Sequence, residues 1–359
     1  MISASPVHEE FHHDHEVPEK RRRAALTAAG VIASLSLGAC AAAPGESASK
    51  GSKDEGYTFA GVFCVCFASA YVAWKEGYFE DEGVPVNNFV MTAGGSDTFA
   101  ALAGGDADFA LSGMDAIMRG QESGLDVRSV ATVSPEFYSL AVSSKQADSI
   151  KSVADLKGKK VAISKPGSAS YAFLKLLLEE AGMSEKDVAM VPLGGIDTTL
   201  TGLKAGTVDA AVIWEPGTAQ VEADGSAEVL VSALDPEDHQ KIYSSDKSIS
   251  MTLAVTDKLV DGNPDAVKGA IAALDKADAW MHDHTADEIA DVLAPLAQGL
   301  DRATLVAAIE NTMKTFPADS SVSKAAYTDS AERLKDAGIV KAVPAVEDVF
   351  DCDLGSCVE

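Results

Sequence analysis

Three features of the sequence predict an α/β protein built as two lobes of similar plan. Short apolar runs alternate with helical patterns from Tyr57 to Val255, a glycine-led motif at Gly94 recurs at Gly194, and the last third reads as helical. With 359 residues there is room for two modest cores. A hydrophobic share of 47% fits a folded body rather than a disordered chain.

In chain order, Lys20-Arg21-Arg22-Arg23 precedes an apolar run of 14 residues, Ala24 to Leu37. That run is too short for a permanent membrane span, and a basic then apolar order fits an export signal over residues 1–39. It closes on Leu37-Gly38-Ala39-Cys40, which looks like a bacterial lipobox. Small residues there let the strand enter a peptidase, and the Cys40 thiol accepts diacylglycerol and becomes the new first residue. The consecutive arginines also permit twin-arginine export. His8, His12, His13 and His15 would leave with the leader, so no metal site is expected from them. Residues 40–55 are small and polar and read as a flexible tether. The expected location is the extracytoplasmic face of the cell envelope, held to the lipid bilayer through Cys40.

The formal charge is −26; residues 1–39 hold four Lys/Arg and five Asp/Glu, leaving −25 on the remainder. A surface that acidic repels phosphate backbones, which argues against a nucleic-acid partner. It does not reveal the charge of a ligand.

From Tyr57, strands are expected at Tyr57–Val65, Val86–Val90, Phe109–Ser112, Val127–Val133, Tyr138–Val142, Val161–Ile163, Val188–Val191, Ala210–Trp214 and Ile249–Val255. Several are continuous apolar runs, as in sheets covered on both faces, so mainly parallel sheets are expected. Between them, Tyr171, Leu174, Leu177, Leu178 and Ala181 form a helical stripe closed by Gly182. Gly94-Gly95-Ser96-Asp97-Thr98 is echoed by Gly194-Gly195-Ile196-Asp197-Thr198, each followed by Leu-x-x-Gly-x-x-Asp-x-Ala. A glycine turn, a helix ending at glycine and a buried strand therefore occur twice. Asn263-Pro264 opens a further helix, Thr285 and Glu288 form a capping box, and helices are expected at Arg302–Lys314 and Lys324–Ala337. This helical part is expected to pack back on the first lobe.

After Cys40, four cysteines remain: Cys64, Cys66, Cys352 and Cys357. An even count in an exported chain favours disulfides, with a four-thiolate metal site as the alternative. In an extended segment Cys64 and Cys66 would stand roughly 7 Å apart at Cα, beyond comfortable disulfide reach. Bonds from Cys64 or Cys66 to the C-terminal pair are therefore expected, pinning a tail with few apolar anchors.

Four segments stand out in order: Ala70-Tyr71-Val72-Ala73-Trp74-Lys75-Glu76-Gly77-Tyr78-Phe79 with Glu82-Gly83-Val84; Val153-Ala154-Asp155-Leu156-Lys157-Gly158-Lys159-Lys160-Val161; Gly206-Thr207-Val208-Asp209-Ala210-Ala211 leading to Trp214-Glu215-Pro216; and the Asn263-Pro264 helix. Together they resemble the importer-binding proteins for aliphatic sulfonates, taurine, nitrate and thiamine-precursor pyrimidines. The resemblance implies a bilobed, periplasmic-binding-protein-like fold of type II. It implies two hinge crossings, a small-molecule ligand in the cleft, closure on binding and an ABC importer permease as partner of a monomer. The lobes would be 56–143 with 245–359, and 144–244. Some pyrimidine synthases resemble this fold and carry a cysteine-rich run in the second lobe. Ala210–Ile213 has no cysteine, so that chemistry does not carry over, and a binding protein rather than an enzyme is expected. The ligand-binding subunit of a sensor is the other alternative.

In parallel α/β lobes, ligands bind beyond the carboxyl ends of strands, near helix N-termini. Phe67 and Ser69, Gly95 and Ser96, Ser112 and Met114, and Ser168 and Ser170 occupy such positions. Free backbone N–H groups and serine hydroxyls there suit a sulfonate, carboxylate, nitrate or ring carbonyl. Trp214 and Glu215 end a strand of the second lobe; Glu215 could accept from an amine or aminopyrimidine and otherwise needs a partner or solvent. Phe137 and Tyr138 lie at the first crossing, where one would stack on the ligand. Asp97 and Asp197 read as helix caps, and Lys165 is the nearest base. No catalytic set, cofactor motif or metal site stands out. Beyond the leader the histidines are His239, His282 and His284, and there is no phosphate loop, nucleophile elbow or metalloprotease motif.

Overall fold

The computed structural model describes residues 56–243 and 247–359. The export signal, lipobox and tether lie outside the described residues. The chain runs through β1 (Tyr57–Gly61), a 3-10 turn (Val65–Phe67), α1 (Ala68–Lys75), α2 (Tyr78–Asp81), β2 (Val86–Met91), α3 (Gly95–Gly104), β3 (Phe109–Gly113), α4 (Met114–Glu122) and β4 (Val127–Ser134). It then crosses to β5 (Ser139–Ser143), β6 (Lys160–Ile163), α5 (Ala169–Glu180), β7 (Ala189–Pro192), α6 (Ile196–Ala205), β8 (Ala210–Ile213), α7 (Gly217–Asp224), β9 (Ala227–Ser232) and α8 (Pro236–Tyr243). It returns as β10 (Met251–Thr256), followed by α9 (Asp257–Gly262), α10 (Pro264–Asp283), α11 (Ala286–Leu293), α12 (Arg302–Met313), β11 (Val322–Ser323), α13 (Lys324–Asp336), α14 (Val346–Val349) and β12 (Cys357–Val358).

Two five-stranded sheets result, ordered β2-β1-β3-β10-β4 and β7-β6-β8-β5-β9. The repeated glycine motif occupies the same place in each, after the edge strand β2 or β7 and before α3 or α6. Both helices end on left-handed glycines, Gly105 (φ 78) and Gly206 (φ 72), where a side chain would be strained. The sheets are mixed rather than mainly parallel. β1, β2 and β3 are parallel, as are β6, β7 and β8, but β10 and β5 run antiparallel to both neighbours. The crossings explain this. β10 enters its sheet beside the carboxyl end of β4, and β5 enters beside the carboxyl end of β9, so each must run the opposite way. The crossings lie side by side: Ser250 N–H donates to Ser134 O (3.2 Å) and Ala233 N–H to Tyr138 O (2.9 Å). β5 therefore belongs to the second sheet, and the first crossing is residues 135–138, ahead of the boundary expected after residue 143. The unexpected strand β9 is a half-exposed edge whose Glu228 breaks the apolar run.

The first lobe is centred on stacked phenylalanines, with Phe59 and Phe109 centroids 4.6 Å apart and Phe79 and Phe89 beside them. In the second, Phe173, Leu174, Leu177 and Leu178 of α5 are buried. Asn263 caps α10 through Ala266 N–H (3.3 Å), with proline in its first turn, and Thr285 and Glu288 form the expected box on α11. α10 and α11 pack on α1, as expected; α12 and α13 also reach the second lobe, touching α7 and α5.

The cysteines pair locally, correcting the expected long-range bonds. β1 ends at Gly61, not Val65, and the chain then tightens into the 3-10 turn with Cys64 at its cap. The Cα atoms of Cys64 and Cys66 are 5.1 Å apart rather than at extended spacing, and the two are bonded; Cys352 and Cys357, 5.2 Å apart, form the second disulfide. The tail is held without a covalent link to the first lobe's cysteines. Val346, Val349 and Phe350 are buried, Phe350 bridges Ser129 of β4, and β12 pairs with β11.

Candidate functional site

The carboxyl ends of strands from both sheets converge on a cavity of about 280 Å³. From the first lobe, the Cys64–Cys66 disulfide and Phe67 of the 3-10 turn form one wall, with Gly95, Ser96 and Phe99 at the start of α3. Asp115 and Arg119 of α4 and Phe137 and Tyr138 of the first crossing continue it. The second lobe supplies Ser164 after β6, the Pro166–Ala169 turn into α5, and Trp214 after β8. These positions follow from local chemistry. Gly167, in the left-handed region (φ 76), reverses the chain, and Ser168 then caps α5 by accepting from Tyr171 N–H (3.3 Å).

Of the residues singled out by sequence, Phe67, Gly95, Ser96, Tyr138, Ser168 and Trp214 line this cavity. Five do not. Ser69 is buried beside Asp278 of α10. Ser112 precedes the lining residue Gly113 and is buried in β3, and Met114 lies in the core around Ile117 and Tyr327. Ser170 stands one layer back, accepting from Ser164 N–H (3.0 Å) and bonded to Ser168 Oγ (2.9 Å). Glu215 turns away to α12, where Asn311 Nδ2 donates to one oxygen (2.8 Å) and Ala219 N–H to the other (3.1 Å). Burial pushes its carboxyl up to about 7 against the pull of those two bonds. Asp97 is not a cap, because its carboxylate meets Lys165 Nζ at 2.7 and 2.8 Å across the lobes.

Arg119, in the last turn of α4, lies outside the strand ends and first helical turns that sequence reasoning singles out. Its signal is an acid–base pair four residues apart, Asp115 and Arg119, on the helix that follows β3. Arg119 Nη2 donates to Asp115 Oδ2 (2.8 Å) and, across the lobes, to the Gly167 carbonyl (2.6 Å). A Cβ on Gly167 would stand 3.2 Å from Arg119 Nη1, so the guanidinium would have to give by a few tenths of an ångström; it is the positive φ of 76 that favours glycine here.

Two lining donors have no partner among the described residues: Arg119 Nε and Trp214 Nε1, both buried atoms. An unpaired buried donor is costly, so each is poised for an acceptor. The remaining wall is largely aromatic, with Trp214 and Tyr138 edge-to-face at 5.8 Å. Burial, with the Glu136 and Asp115 carboxylates nearby, holds the Tyr138 phenol well above its ordinary value, so it stays neutral. The site can thus seat a small, partly apolar molecule and donate hydrogen bonds to an acceptor head.

The NMT1/THI5-like family model matches residues 65–288, more than half of the chain. The chain belongs to the NMT1/THI5-like family. The matched span contains all four segments on which the resemblance was recognised. This NMT1/THI5-like chain is 29% identical over 239 residues to a Bacillus subtilis protein named for aliphatic sulfonate binding, covering 67% of this chain and 68% of that one. Binding proteins of Brucella are 28% identical over 209 residues, covering 58% of this chain and 60% of theirs. Among solved structures, the alkanesulfonate-binding protein of Xanthomonas axonopodis pv. citri bound to MOPS superposes with a TM-score of 0.66 at 22% identity, covering 82% of this chain and 98% of that one. The periplasmic nitrate-binding protein of Synechocystis PCC 6803 gives 0.68 at 16%, covering 84% and 87%. At these identities the structures establish the shared bilobed fold.

Proposed function

We propose that this family member is the solute-binding component of an ABC importer, capturing a small organic anion, zwitterion or heterocycle of the sulfonate, taurine, nitrate or pyrimidine class. The observation that carries this reading is the interlobe cavity, walled by aromatics and holding two unpaired donors, Arg119 Nε and Trp214 Nε1. The relatives named for sulfonate binding support the same class. A single Arg119 offset by Asp115 suits a singly charged or zwitterionic head better than a multiply charged anion. No chemistry is assigned to the site; binding alone is its role.

The chain acts as a monomer at the extracytoplasmic face, tethered by a lipid on Cys40 and docking on a permease when closed. Among the described residues no helix is long and apolar enough to cross a membrane, and the lipobox is what supports the anchor. Cys40→Ala should move the protein from the membrane to the soluble fraction and remove the lipid mass; a membrane-bound variant rules the anchor out.

A thermal-shift screen against taurine, alkanesulfonates, nitrate, aminopyrimidines and aromatic acids tests the ligand class. A ligand at one hundred times its Kd stabilises by about 2.7 kcal/mol. Absence of a shift across all five classes contradicts the reading.

A further inference from the structure

Behind Tyr138, on the far side of Asp115 from the ligand cavity, Glu136 is buried where the two crossings meet. Among the described residues, its hydrogen bonds run to the two crossings and to Tyr243, the last residue of α8 before the chain returns. On the outgoing crossing, Phe137 N–H (3.1 Å) and Tyr138 N–H (3.5 Å) donate to Oε1. From the end of α8 the Tyr243 hydroxyl donates to Oε2 (2.6 Å), and from the returning crossing Ser250 Oγ donates to Oε1 (3.4 Å), while Glu136 N–H donates to Ser248 Oγ (2.9 Å). A buried carboxyl is retained at such a place only if its bonds are made, and loss of one partner leaves the rest costly.

We infer that Glu136 is a hinge-positioning residue: its carboxyl ties the outgoing crossing to the returning one and so fixes where Tyr138 stands in the ligand cavity. Hinges are a few element-terminal residues that absorb backbone change, and residues 135–138 and 247–250 are the described stretches that join the two sheets. Because Glu136 binds the peptide N–H of Tyr138 itself, the joint's geometry passes directly to a cavity wall. Tyr138 in turn touches Trp214 of the other lobe. Burial and the neighbouring Asp115 push the Glu136 carboxyl up while its hydrogen bonds oppose them, in keeping with a group that depends on its donors. This inference rests on the proposed function only in calling that cavity the ligand site.

The test needs no ligand. In the Trp74→Phe, Trp280→Phe background Trp214 is the sole tryptophan, and its emission is read together with the small-angle scattering radius for three further variants. Glu136→Gln keeps an acceptor for Phe137 and Tyr138 and should retain the parent profile. Glu136→Met fills similar space without hydrogen bonding and should red-shift the emission and increase the radius. Tyr243→Phe, which removes one donor and leaves the core packed, should shift both readouts the same way by less, and it decides the matter if Glu136→Met does not fold. Parent profiles in either Glu136→Met or Tyr243→Phe, or a shift in Glu136→Gln as large as in Glu136→Met, would overturn the inference. A failed ligand screen with these profiles as expected would count against the transport reading alone.

Discussion

At the scale of the residue, the cavity is defined by what its donors lack. Trp214→Phe keeps a ring in the wall but removes the unpaired Nε1–H. Loss of one hydrogen bond costs about 0.5–1.5 kcal/mol, so ligand affinity should fall about two- to tenfold while the ligand-free melting temperature stays near wild type. Calorimetric titration and melting check both, and unchanged affinity would place the acceptor elsewhere. A different residue contributes to the pH response. Asp278, buried in α10, has its carboxyl pushed up to about 8, first by burial and then by Asp275 and Asp319, against the pull of Ser69. As pH rises past the ordinary value of 3.8, the unfolded chain releases this proton while the native chain keeps it until about 8. Stability should therefore fall across that window and level off above it, by on the order of 5 kcal/mol in full. Asp278→Asn should flatten the slope in denaturant melts at pH 5 and pH 8.5; parallel profiles would contradict this. The segments that the sequence singles out border the cavity, but not always through the residue expected. Ser112 sits beside the lining Gly113, because adjacent strand residues face opposite ways. Glu215 pointed to a ligand amine only because Asn311, 96 positions away, is invisible as its partner in sequence.

At the scale of the element, caps and glycine stops were the legible part. Asn263-Pro264, Thr285 with Glu288, and the paired Gly94 and Gly194 motifs encode their structure within four or five residues, so local chemistry suffices. What depended on distant pairing was not legible. The antiparallel entry of β5 and β10 follows from where the crossings lie, and β9 exists because β5 offers it an edge. The cysteines differ for a related reason: their wide spacing holds only in an extended chain, whereas Cys64 caps a turn. Peptide mapping without reductant should recover Cys64 bonded to Cys66 and Cys352 to Cys357. A peptide joining the first lobe to the tail would refute the local pairing. The tail itself should depend on Phe350, which packs edge-on against Tyr327. Phe350→Ala should cost about 3–5 kcal/mol in equilibrium denaturation, and a change under 1 kcal/mol would show that β12 and the disulfide hold the tail unaided.

At the scale of the whole molecule, the internal echo announced two lobes, and the sheets carry it out with the same strand order. Among the described residues, polar contacts between the lobes include Lys165 to Asp97 and Arg119 to the Gly167 carbonyl at the cavity, and Asn311 to Glu215 away from it. The Lys165–Asp97 pair is substantially exposed and worth little by itself. A ligand shifts such an equilibrium only through contacts that the open state lacks. The central claim, capture between the lobes, is tested most directly by small-angle scattering of wild type and Trp214→Ala with and without a ligand from the screen. The account predicts that ligand shrinks the wild-type radius, and that Trp214→Ala loses a few kcal/mol of affinity and compacts only at correspondingly higher concentration. Wild-type affinity in Trp214→Ala, with no compaction of either protein, would contradict it.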